Sequence, residues 1–116
     1  MRYLCLVYVD PSLTEQLSES EGRKITKDSL AYDDELRAGG HFVHSNALQD
    51  PPTAVSIRVR GGQVSTTDGP FAETKEHLGG FILIEARDLN EAIGLGAKIP
   101  MARMGTIEVR PLLDLV

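Results

Sequence analysis

The residues best suited to chemistry crowd into one stretch, TTDGPFAETKEHLGGF, at positions 66–81. It holds Asp68, Glu73, Lys75 and His77, side chains that carry charge or move protons. Asp68 stands ahead of Gly69-Pro70, where proline restricts the residue before it and glycine accepts unusual backbone angles. Asp68 is therefore expected at a rigid corner, with Phe71 anchoring that corner in the core. Glu73 and His77 are four residues apart and would share a face if AETKEH forms a helical turn. A carboxylate beside a histidine raises the histidine's pKa and gives a workable acid–base pair. On this reading Asp68 is base or orienter and His77 with Glu73 is the proton shuttle. Asp68, Gly69, Pro70, Phe71 and Lys75 would contact the ligand. The same residues also fit a plain turn, with Asp68 bonded to the backbone and the charges solvated. What sets the stretch apart is its length, since a hairpin connection needs only roughly two to five residues.

Other constellations are weaker. His41 and His44, three apart on a strand, face opposite sides and are not expected to share a metal. Asp68, Glu73 and His77 offer zinc fewer nitrogen and sulfur ligands than it usually takes, so no metal is expected. Asp33-Asp34, beside Tyr32, reads as a solvated helix face. There is no phosphate-binding loop, dinucleotide fingerprint or Ser/His/Asp order, and no cofactor is expected. Cys5 is the only cysteine, so it can form neither an internal disulfide nor a metal cluster. It reads as a small buried hydrophobe.

With 116 residues, 41% of them hydrophobic and 25% charged, the chain is expected to form a single globular domain over 1–116. Its net charge is −5, and its twelve basic residues are scattered, which gives no electrostatic footprint for nucleic acid. The apolar run YLCLVYV is too short to span a bilayer. Asp10-Pro11 follows it with no small-residue cleavage pattern, so no membrane association is expected and the cytoplasm is the expected location.

The elements that must position the charged stretch are legible from periodicity. Residues 2–9 read as a strand apolar on both faces, with Tyr3, Cys5, Val7 and Val9 on one side and Leu4, Leu6 and Tyr8 on the other. Ser12 and Glu15 have capping-box spacing and predict a short helical turn over 13–18. Gly22 is expected to break it, before a helix over 23–38 with Ile25, Tyr32 and Leu36 on its inner stripe. A strand over 41–48 follows. Val55, Ile57 and Val59 alternate with polar residues, turn at Gly61-Gly62 and return over 63–67 as a hairpin. Residues 80–86 predict another doubly apolar strand, and Asp88 with Glu91 opens a helix to about residue 98. Leu89, Ala92, Ile93 and Gly96 form its inner stripe, and GTIEVRPLL is the last strand. Without the hairpin the order is βαββαβ, so the expected fold class is α+β, ferredoxin-like with an inserted β-hairpin.

Two helices cover one face of a four-stranded sheet, yet two of its strands are apolar on both. A bare face of that size is a large exposed patch. Leu4, Leu6, Ile82 and Ile84, or their alternates, need cover, in part from the hairpin and chiefly from a second copy of the chain. A homodimer is the expectation.

The string DGPFAETKEHLGGF resembles the signature of the YCII-related, DGPF-type bacterial proteins, and RYLCLVY, IEARDLNEAI and IPMARMGTIEVRP are similar to that family too. The resemblance implies a dimeric α+β barrel of ferredoxin-like protomers. It also implies a functional link to extracytoplasmic-function sigma factors, whose genes often lie beside those of the family. Catalytic YCII proteins pair a first-helix histidine with an aspartate near the last helix-to-strand connection, for small-molecule isomerisation or dehydrochlorination. In this sequence those places are Ser29 and Ile99, and neither transfers protons as that pair would. The favoured expectation is binding of a small polar ligand, or of a transcription-linked partner, in a cleft under the DGPF loop. The alternative is isomerase- or lyase-type acid–base catalysis by Asp68 and His77.

Overall fold

The computed structural model describes residues 1–115. Its elements are β1 (Arg2–Val9), α1 (Pro11–Thr14), α2 (Glu19–Ala38), β2 (Phe42–Ala47), β3 (Val55–Arg60), β4 (Gln63–Asp68), β5 (His77–Glu85), α3 (Leu89–Gly96) and β6 (Thr106–Pro111). Short 3-10 turns lie at Pro51–Thr53 and Pro100–Arg103. The protein is α+β. Four strands form one antiparallel sheet in the order β2-β5-β1-β6, and β3 with β4 forms a separate hairpin. Because β5 pairs antiparallel with both β1 and β2, those two run parallel on either side of it.

The helix starts differ from the sequence expectation by one capping signal. Asp10 caps α1, accepting the Ser12 amide at 3.0 Å, with Pro11 in the first turn. The reciprocal capping box belongs to Ser18 and Glu21, so α2 begins at Glu19 and runs through Gly22. Two Ser-x-x-Glu pairs stand in the sequence, and the Asp10-Pro11 start takes Ser12 out of competition. In α3, Ala92 and Gly96 face the sheet, whereas Leu89 and Ile93 are exposed. A Cβ on Gly96 would meet Val109 Cγ2 at 3.2 Å, so glycine lets this short helix lie close.

The core gathers Tyr3, Cys5, Val7, Ile82 and Ile84 from the sheet with Tyr32, Leu36 and Ala92 from the helices. The Tyr32 hydroxyl donates to the Leu95 carbonyl at 2.6 Å and ties α2 to α3. Cys5 is fully buried, as expected, and burial pushes its thiol pKa up to about 11. Ile82 and Ile84 thus belong under the helices. The uncovered face carries Leu4, Leu6, Phe81 and Leu83, because Leu4 pairs with Leu83 and Leu6 with Phe81. All four are half-buried. Polar residues flank them, with the Glu108–Arg110 ion pair on β6 and the His44–Asn46 hydrogen bond on β2.

The hairpin does not cover that face. Val55, Ile57, Val59 and Val64 are 54–68% exposed. With extents of 47 × 46 × 18 Å the molecule is a slab, thick enough for a sheet and one helical layer, with the hairpin as an arm. Among the described residues no helix is long and apolar enough to cross a membrane.

Candidate functional site

Residues 69–76 link β4 to β5 as a loop of bends anchored at its two ends. The Gly69 amide donates to the Ala54 carbonyl at 2.6 Å, and Ser56 Oγ donates to the Gly69 carbonyl at 2.9 Å. Gly69 has φ +98°, a left-handed angle that L side chains rarely adopt, so the chain turns there in a conformation that suits glycine. Further on, Thr74 Oγ1 donates to the Glu76 carbonyl at 2.5 Å, and Thr106 Oγ1 donates to Glu76 Oε1 at 2.7 Å. The second of these fastens the loop to β6.

Asp68, Glu73, Lys75 and His77 all line one concavity of about 470 Å³, together with Gly69 and Pro70. Two details correct the sequence reading. Residues 72–77 form no helical turn, and His77 instead opens β5, paired with Val9. The Thr74 hydroxyl takes up the Glu76 carbonyl, and pairing with Val9 draws His77 into the sheet. Among the described residues there is accordingly no hydrogen bond between Glu73 and His77. The second correction is Phe71, which is 76% exposed rather than a core anchor. The Arg58 guanidinium lies 5.1 Å from its ring centre, which puts Phe71 against the arm.

One buried carboxylate near the loop escapes the sequence reading. Asp10, at the end of β1, is buried, and its Oδ1 accepts the Ser12 hydroxyl at 2.8 Å and the Ser12 amide at 3.0 Å. Those two bonds lower its pKa, and the positive charges of Lys75 and His77 lower it further against the opposing effect of burial. The only hydrogen-bond partner of its side chain among the described residues is Ser12. In sequence Asp10-Pro11 marks only the end of a strand, and the β1–β5 register alone brings residue 10 beside residue 77.

A second depression, a cleft of about 440 Å³, opens between α2 and the sheet. Ser29 and Ile99, the places that the resemblance gives to a histidine and an aspartate, both line it. Asp33 lines it as well and is buried, whereas Asp34 is exposed and paired with Arg37 at 2.7 Å. The expected solvated Asp33-Asp34 face therefore holds for Asp34 alone.

The fold and site define a small α+β protein with a charged loop, anchored at its two ends, beside an antiparallel sheet. The family model of the YCII-related domain matches residues 1–116, and the chain belongs to that family. It is 35% identical over 114 residues to an uncharacterised protein of Rhizobium meliloti (strain 1021), covering 97% of this chain and 92% of that one.

Proposed function

We propose that the protein is a homodimeric binding protein whose DGPF loop takes a small polar ligand bearing both acidic and basic groups. One observation carries this reading. Hydrogen bonds from Ser56, Thr74 and Thr106 fix the loop, while Asp68, Glu73, Lys75 and His77 make no side-chain hydrogen bond or ion pair among the described residues. Charged groups left free on a fixed frame suit recognition, because little ordering is needed when the ligand arrives. Acid–base catalysis by Asp68 and His77 has weaker support. Both line the concavity, yet Glu73 does not pair with His77 to form a shuttle.

For the dimer, the support is the uncovered sheet face and the arm. The strand order β2-β5-β1-β6, in which each helix joins two parallel strands with an antiparallel strand between them, is what a ferredoxin-like protomer of an α+β barrel requires. A transcription-linked partner, such as a sigma factor, has support in the exposed arm alone. A second copy accounts for the arm and the sheet face together. The cytoplasm remains the compartment this reading expects.

The test is thermal-shift screening of wild type and Asp68→Asn against a metabolite library. A ligand at a hundredfold excess over Kd adds about 2.7 kcal/mol. That should raise the wild-type melting temperature by roughly 10 °C. Asp68→Asn should melt like wild type without ligand and lose the shift. A lowered melting temperature in Asp68→Asn, with no compound stabilising wild type, contradicts the proposal.

A further inference from the structure

We propose that the cleft between α2 and the sheet is a second binding site, for a small organic cation: an ammonium group on a compact apolar body, with Asp33 as its counter-charge. Asp33 is only 9% exposed, and its Oδ2 accepts one hydrogen bond, from Ser45 Oγ at 2.8 Å. Among the described residues nothing donates to Oδ1, and Asp33 forms no ion pair. Yet Oδ1 is not sealed from solvent, since among the described residues no buried side-chain oxygen lacks a partner. Asp33 itself lines the cleft.

A carboxylate this buried normally has a cation or several donors, because desolvation penalises an unpaired charge. The candidate on the same helix is Arg37, four residues on. Its guanidinium is committed elsewhere, to Asp34 at 2.7 Å and to the face of Phe42 at 4.1 Å from the ring centre. The helix thus carries a cation at the right spacing and turns it away.

The cleft fits the missing partner. Among the described residues Asp33 is its only charged lining residue, and Ile25, Leu30, Ile82, Ile99 and Met101 supply apolar walls. Its volume of about 440 Å³ falls in the range of small-molecule sites. Tyr32 also lines it, and an aromatic ring favours a cation nearby. The net charge of −5 draws cations rather than anions toward the surface. An anion of the same shape would meet Asp33 with no compensating charge.

Benzylammonium, benzyl alcohol and benzoate at matched ionic strength provide the probes, titrated into the full chain and followed by amide NMR shifts. Benzylammonium should saturate and shift the amides of Ser45, Ile82 and Met101, leaving those of residues 69–76 unmoved. Benzoate should not bind. Asp33→Asn should weaken benzylammonium at least tenfold, whereas Asp34→Asn, the same charge change one residue away, should alter it less than twofold. If Asp33→Asn does not fold, Ser29→Trp fills the cleft while keeping the Asp33–Ser45 bond, and it should abolish binding. Three results overturn the site: benzoate binding as well as benzylammonium, shifts mapping outside the cleft, or unchanged affinity in Asp33→Asn or Ser29→Trp.

Discussion

Asp10 gives the loop region a pH dependence with a definite sign. Its folded pKa is lowered from 3.8, first by the Ser12 hydroxyl and amide and then by Lys75 and His77. The ionised form is the one the fold favours. Its contribution is therefore fully present above the ordinary carboxylate value and is lost as pH falls through the lower folded value. Asp10→Asn should melt below wild type at neutral pH, and the two should converge in acid. Melting curves offset by a constant amount at every pH would contradict that role. The four charged residues of the loop were legible in sequence because they lie close together along the chain. Asp10 and Asp33 were not, since their settings depend on a strand register and on a cleft wall contributed by β2. No spacing rule joins residue 33 to residue 45.

Among the elements, the loop corner and the arm behave differently. A Cβ at Gly69 would meet nothing within 4 Å, so substitution there is penalised by the positive φ alone. Gly69→Val should cost roughly 1–3 kcal/mol and open residues 69–76 to limited proteolysis. Ala72→Ser should change neither. Equal melting and equal cleavage in the two variants would show that the corner is not fixed. At the start of α2, Ser18→Ala removes a capping-box bond and should cost about 1 kcal/mol, measurable by urea unfolding. An unchanged midpoint would contradict the cap. Strands and helices were readable because their alternation and stripes are local. The helix starts were less so, because Ser12 with Glu15 and Ser18 with Glu21 carry the same signal and only the Asp10-Pro11 geometry separates them. The arm was visible as a hairpin, but its isolation was not, since alternation says that one face is apolar without saying what it meets.

Taken whole, the molecule exposes more surface than a chain of its mass should. Its accessible area is 8275 Å². A compact monomer of 12.7 kDa is expected near ~6,200 Å². The radius of gyration is 16.1 Å. A compact chain of this length would have about 13 Å. The excess of roughly 2,000 Å² matches what each partner loses in a large obligate interface. Part of that excess is the arm, and a free two-stranded hairpin is marginal in water. The other part is the face of Leu4, Leu6, Phe81 and Leu83, an apolar centre with a polar rim like the middle of an interface. Assembly is thus the central claim, and sedimentation equilibrium tests it most directly, on wild type beside Leu6→Lys. Wild type at micromolar concentration should sediment at twice 12.7 kDa, and Leu6→Lys, which places a charge in the paired face, should yield monomer or aggregate. A stable wild-type species of 12.7 kDa would contradict it.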